Sequence, residues 1–461
     1  MAHETDYLII GAGAVGLGIA DVLLSETDAT LTLVDRDHAP GGHWNRAYPF
    51  VRLHQPGMHY GIMSSPLDGT ATAPEAGMAT LSTGAAIRAN FQKVLDDVLI
   101  ASGRVRYIPM SEASADGTVT SLLGGAQEQI TVRRKVIEAY HGGGTIPATH
   151  KPGFEVDDDA AFAPVNVLGD LGAAAAHYVI LGSGKTGIDA CLWLLGNGVA
   201  GDRISWVMPR DSWFMDRGLA QPGAEFYEAK LRSALNENTA LIEANSVEDL
   251  FDRLESTGNL LRLDPNVRPT SYKCATVTQQ ELETLRQIKS VVRLGHIERV
   301  SRDRIVMKQG ELALPEGALC IDCTATAIPS GIKPPIFRPG QILMNAVRTC
   351  QPAFSAAVIG HLEATRDSDD AKNALARVVP LPRDDVDWLR MNFVNRQNQF
   401  AWLQDGEMRS WLKTCRLDAL TNAQRPDPVS PEAQAIGAQL KETAFASSIR
   451  LKQMVDALDA T

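Results

Sequence analysis

Two short apolar runs break into the same glycine pattern, and this repetition limits the folds open to the chain. Tyr7-Leu8-Ile9-Ile10 leads into Gly11-Ala12-Gly13-Ala14-Val15-Gly16. Tyr178-Val179-Ile180-Leu181 leads into Gly182-Ser183-Gly184-Lys185-Thr186-Gly187. Each is followed by an apolar-faced helical stretch and then by a second apolar run, Leu31–Val34 and Ile204–Val207. Strand, glycine turn, helix and strand in that order predict a βαβ unit with parallel strands. The two copies lie about 170 residues apart, far beyond any solenoid period, so the chain reads as a duplicated α/β architecture.

The glycine spacing has a physical reading. Gly11 and Gly182 permit a tight turn, Gly13 and Gly184 let the backbone approach a pyrophosphate, and Gly16 and Gly187 let the helix pack close to its strand. The helix N-terminus adds unpaired N–H groups and partial positive charge. Asp35 lies 24 residues after Gly11, at a strand end, where a carboxylate can accept hydrogen bonds from a ribose. The second unit ends its strand with Met208-Pro209-Arg210 and has no acid there. An acid would repel a 2′-phosphate and an arginine would pair with it, which predicts NADP(H) over NAD(H) at this turn. Lys185 and Arg217 are further phosphate candidates, or solvated surface charges. The string Gly184-Lys185-Thr186 is not a Walker motif, because position 179 is Val where glycine is required.

Composition narrows the rest. With 461 residues, two or three domains are expected, and 44% apolar with 21% charged residues is ordinary globular composition. The net charge of −11 and a longest basic run of Arg133-Arg134-Lys135 speak against nucleic acid. No run approaches the ~18 apolar residues of a membrane span. Met1 to Asp6 carries no basic segment of a signal peptide. Six sparse cysteines suggest reduced thiols, and a cytoplasmic location is expected. Cys320 and Cys323 form a CxxC, but along an apolar strand they face opposite sides, which disfavours a redox pair. His38, His43, His54 and His59 fall within 22 residues without ligand spacing, so no metal is expected.

The stretch Gly41-Gly42-His43-Trp44-Asn45-Arg46-Ala47-Tyr48-Pro49-Phe50-Val51-Arg52 resembles the GGxW…YPxxR segment of class B flavoprotein monooxygenases. That class comprises the flavin-containing, Baeyer–Villiger and N-hydroxylating enzymes. The order of motifs also matches: glycine turn, GGxW, second glycine turn. The resemblance implies FAD at the first turn and NADPH at the second. It implies a first part of an FAD-binding domain over 1–170, an NADP-binding domain over 171–329, and a return to the FAD domain plus a helical tail over 330–461. Gly42 would let the chain pass close to the cofactor, and Trp44 would offer an aromatic face and an N–H near the flavin. The implied reaction inserts one oxygen atom from molecular oxygen into a small organic substrate through a C4a-(hydro)peroxyflavin. Residues 162–171 lack the histidine and the aromatic residue of the Baeyer–Villiger fingerprint. Two alternatives stay open: an NADPH-dependent reductase or electron-transfer flavoprotein without oxygenation, and a non-catalytic redox sensor.

Arg52 and His54 are the candidate catalytic residues. If residues 50–55 run extended, the two side chains point to one face. A guanidinium there would stabilise anionic reduced flavin or a peroxide. The histidine would exchange a proton near neutral pH. Further along, residues 118–137 read as strands around Gly124-Gly125, and Gly142-Gly143-Gly144 as a loop. Residues 248–260 and 279–291 read as helices, and 318–323 as a late strand that runs on towards Thr326. A proline-rich crossing begins at Pro329. In the tail, Ser430-Pro431-Glu432 marks a helix start.

Overall fold

The computed structural model describes residues 3–67, 77–139, 145–325, 334–418 and 425–459. The Gly142-Gly143-Gly144 run, Thr326 and Pro329 lie outside the described residues. The first unit opens with β1 (His3–Ile10), α1 (Ala14–Glu26) and β2 (Leu31–Val34). It continues with α2 (Gly84–Val94), β3 (Val105–Ile108) and β4 (Gln127–Glu138). The second unit holds β5 (Phe162–Pro164), β6 (His177–Leu181), α3 (Lys185–Gly196), β7 (Ile204–Val207) and β8 (Ser212–Asp216). It adds α4 (Tyr227–Glu243), α5 (Val247–Ser256), β9 (Ser271–Val277), α6 (Gln279–Leu285), β10 (Ser290–Val292) and β11 (Ala318–Asp322). The chain then returns through β12 (Gln341–Leu343) and α7 (Pro352–Thr365). The tail comprises α8 (Asp369–Leu375), α9 (Asp385–Gln404), α10 (Gly406–Thr414) and α11 (Pro431–Asp459).

Two Rossmann-like sheets result. In the first, β12, β4, β1, β2 and β3 pair in that order, all parallel. In the second the order is β5, β11, β6, β7, β10, again all parallel. The chain leaves β1 for β2 on one side and later fills the other side with β4; β6 lies between β7 and β11 in the same way. Both glycine turns therefore sit at strand ends where the order reverses, which is where open parallel sheets take ligands.

The core explains why these segments fold as they do. β2 is buried on both faces, as expected of a central parallel strand. In α7, residues 353–362 are buried without interruption, so the helix lies within the protein rather than on its surface. It meets α1 through small residues: a Cβ on Gly18 would lie 3.1 Å from the Ala356 Cβ, and one on Gly360 would lie 3.0 Å from Val22. A second core fills the space between β6, α3, β7 and α6. A third joins Trp213, Leu241 and Phe251 of the second unit to Trp388 and Leu389 of α9 and Leu451 of α11.

Several expectations need correction. The helix expected over 279–291 ends at Leu285, and Ser290–Val292 joins the sheet beside β7 instead. Its β-branched residues pack better in a pleated edge than in a helix. The helix expected over 248–260 stops at Ser256, and Leu260 begins a strand against β8. The extended run expected over 50–55 is reduced to one bridge, Arg52 to Thr83. Among the described residues, no helix is long and apolar enough to cross a membrane.

Candidate functional site

The first turn has the geometry its glycines allow. Gly11 adopts φ +106°, and a Cβ on Gly16 would overlap the Gly11 carbonyl oxygen. The third glycine thus lets α1 start directly on the turn. Gly13 faces Gly42, whose φ is +56°; a Cβ on Gly13 would lie 3.5 Å from the Gly42 Cα. Gly42 therefore brings its loop against the turn itself. Gly13 caps α1 without any side-chain hydrogen bond, leaving the helix N-terminus to other partners.

Asp35 is tied into the turn by its own backbone contacts. Its carboxylate is buried and accepts hydrogen bonds from the backbone N–H of Ala12 and, at 2.7 Å, of Asp37. It braces the turn, and burial raises its pKa against those two bonds. The Trp44 indole N–H donates to the Tyr60 hydroxyl at 3.0 Å, and the two rings meet edge to face in the core.

The second turn is more open. Gly182 has φ +114° and lies against the backbone of Cys323, and a Cβ on Gly187 would overlap the Gly182 carbonyl oxygen. A Cβ on Gly184 would meet nothing within 4 Å. Gly184 caps α3 without a side-chain hydrogen bond, so its space and its amides face outward. This cradle has room for a pyrophosphate. Arg210 follows β7, is exposed, and makes no ion pair among the described residues. Cys320 on β11 and Cys323, just past its end, are buried in two separate cores.

Residues 46–54 form a strap between the units, and most of its partners were not legible beforehand. The Arg46 carbonyl accepts from Asn166 Nδ2 at 3.1 Å. Phe50 stacks on Trp193 of α3 with ring centroids 4.6 Å apart and an interplanar angle of 8°. The Tyr48 hydroxyl donates to Asp189 at 2.6 Å, and Lys185 bridges Asp189 and, at 3.1 Å, the Arg52 carbonyl. Lys185 thus serves the joint. Arg217 is also no surface charge: it is buried, pairs with Glu281 at 2.7 Å, and donates to the carbonyls of His54 and Thr276. The Thr276 hydroxyl donates to the same His54 carbonyl.

Arg52 and His54 lie on this strap in contrasting settings. The Arg52 side chain is exposed and has no carboxylate partner among the described residues. The His54 ring is half-buried, with Nδ1 enclosed and lacking a hydrogen-bond partner. Burial, with Lys185 and Arg217 nearby, pushes its pKa down to about 3. It is neutral at pH 7, which corrects the expectation of a proton carrier near neutrality. His59, buried on the 3-10 turn Gly57–His59, is pushed down to about 4 by burial and by Lys230. Among the described residues, no group of three or more His, Cys, Asp or Glu is placed to hold a metal ion.

No protein-family model matches the sequence. The chain is 39% identical over 462 aligned residues to the Mycobacterium tuberculosis protein Rv2000, covering 99% of this chain and 86% of that protein. The chain belongs to this family. The Mycobacterium bovis member, Mb2023, aligns with the same identity and coverage, and both relatives are described as uncharacterized. Solved structures extend the likeness at the level of fold. The polycyclic ketone monooxygenase of the thermophilic fungus Thermothelomyces thermophila is 12% identical with a TM-score of 0.50, over 96% of this chain and 89% of that one. A complex of OTEMO with FAD and NADP gives 12% and 0.50, over 79% of this chain and 84% of that one. The Rv2000 family member described here thus has the class B flavoprotein monooxygenase-like fold.

Proposed function

We propose that the protein is an FAD-dependent, NADPH-consuming oxidoreductase, and specifically a monooxygenase that inserts one oxygen atom into a small organic substrate. The observation that carries this reading is the pair of glycine turns at the reversal points of two parallel sheets, joined by the 46–54 strap. The FAD and NADP named for the OTEMO complex, on the same fold, support the choice of cofactors. When bound, the two cofactors supply hydride transfer and the reduction of oxygen.

The chain's own residues supply the rest. Gly11, Gly13 and Gly16 shape the FAD turn, Gly42 closes on it, and Asp35 fixes its amides. Gly182, Gly184 and Gly187 shape the NADPH turn, and Arg210 would pair with the 2′-phosphate. Arg52 is the unpaired cation of the strap and stabilises negative charge that develops nearby. Trp44 contributes buried, uncharged surface that excludes water, and His54 adds a half-buried neutral ring.

The test is spectral. The purified protein should be yellow, with one FAD per chain. NADPH should bleach the flavin band without oxygen, and oxygen should then restore it through a transient unlike either end state. A colourless protein that gains no flavin on incubation with FAD overturns the reading. Reoxidation without a transient removes the monooxygenase and leaves a reductase.

A further inference from the structure

We propose that Cys274 and Cys350 form a reversible disulfide that links the second unit to the segment before α7 when the protein meets a hydroperoxide. The first observation is backbone conformation. Among the described residues, three that are not glycine adopt left-handed φ, and two of them are Cys274 at +55° and Cys350 at +58°. Glycine or asparagine is the relaxed choice at such positions. Cys274 sits where β9 bulges: Trp213 of β8 lies opposite Tyr272, yet Met215 lies opposite Thr276. Cys350 occupies the turn that leads into Pro352 and α7. Two unrelated elements thus spend an unfavourable conformation on the same residue type.

The second observation is that the two residues pack into the same core. Both belong to the core that holds Trp213, Tyr272 and Trp388. The Cys350 thiol is the hydrogen-bonding neighbour that, ahead of burial, holds the Cys274 thiol well above its ordinary pKa. Their access differs in the way a reactive pair requires. Cys350 is partly exposed, whereas Cys274 is buried. The four other cysteines are all buried, including Cys191 and Cys323, which lie near each other in the second core.

The chemistry balances with hydrogen peroxide as oxidant. The Cys350 thiolate attacks one peroxide oxygen, the O–O bond breaks, and hydroxide leaves and takes up a proton as water. The Cys274 sulfur displaces the second oxygen from Cys350 as the S–S bond forms, and its proton leaves with that oxygen as water. Two thiols lose two electrons and peroxide becomes two waters. A dithiol returns the electron pair and reverses the bond. The cross-link acts on the strap, because Thr276, two residues beyond Cys274, holds the His54 carbonyl.

The experiment uses the full chain. After brief treatment with hydrogen peroxide and quenching, alkylation should count four thiols in place of six. Peptide mapping should find the peptides of Cys274 and Cys350 joined, and a dithiol should separate them. C350S, at the more accessible position, should lose no thiol pair under the same treatment. A cross-link between Cys191 and Cys323, oxidation of Cys350 to sulfinic acid without a cross-link, or six thiols still open to alkylation would each overturn the proposal. Mapping of the unaltered protein decides the matter even if a variant folds poorly.

Discussion

At the scale of single residues, glycines of one motif have separable duties. Gly184 has extended backbone (φ −82°, ψ −177°) and open space where a Cβ would go. Gly184→Ala should leave the melting temperature unchanged and weaken NADPH binding, because the added methyl fills the space a pyrophosphate needs. Gly187→Ala should do the reverse in kind and destabilise the fold, since its Cβ collides with the Gly182 carbonyl. Thermal melts and NADPH titrations of the two variants separate these outcomes. Arg210 offers the second residue-scale test. A charge-assisted phosphate pair is worth ~1.5–3 kcal/mol, so Arg210→Ala should weaken NADPH binding about 10–100-fold and leave NADH unchanged. Equal losses for both dinucleotides would remove Arg210 from phosphate recognition. The glycines were legible because backbone geometry depends on nothing far away in sequence. Asp35 and Trp44 were legible in place but not in partner, because Ala12 and Tyr60 reach them only after folding. His54 was read with its ordinary pKa, but burial in the fold depresses it, helped by cations more than 130 residues away in sequence.

At the scale of elements, strands behind apolar runs were easy to anticipate and the helices that cross between units were not. α4 is long but weakly patterned, and its buried face is covered by α11 and by Leu250, Phe251 and Leu254 of α5, in a core that α9 also joins. The pin between them is polar: Arg396 donates to Ser447 at 2.9 Å, Glu237 at 2.9 Å and Asn238 at 3.0 Å. A side chain that ties its own helix to two others leaves no periodic trace in sequence. The turn before α7 is held similarly. Arg348 is buried over the Phe354 ring at 4.0 Å and donates to the buried Asp418 at 2.6 Å. Arg348→Leu should cost roughly 3–5 kcal/mol, because it leaves a buried carboxylate without its cation. Chemical denaturation should show the loss as a lower midpoint at unchanged slope. A midpoint within experimental error of the parent would mean that Asp418 is satisfied by other groups.

At the scale of the whole molecule, enclosed neutral histidines set the response to acid. His54 and His59 have folded pKa values depressed to about 3 and about 4, below the unfolded value of about 6.5. The unfolded chain therefore binds more protons between these limits, and stability falls as pH drops from about 6.5 towards about 4. For His59 alone the loss should be on the order of 2–3 kcal/mol by pH 4. His59→Gln should flatten that slope in melts across the range, and an unchanged slope would show that His59 is solvated. The route of the chain carries one more consequence. It leaves the first sheet at Glu138 and returns at Gln341, with Gln341 opposite Val136. The second unit is thus a guest spliced between two neighbouring strands of its host. On a ribosome the host waits for about 200 residues of guest, roughly 10–40 s at ordinary rates, before its last parallel strand arrives. Until then the rim of β4 is an unpaired template, and the interval belongs to whatever chaperone or neighbouring strand reaches it first.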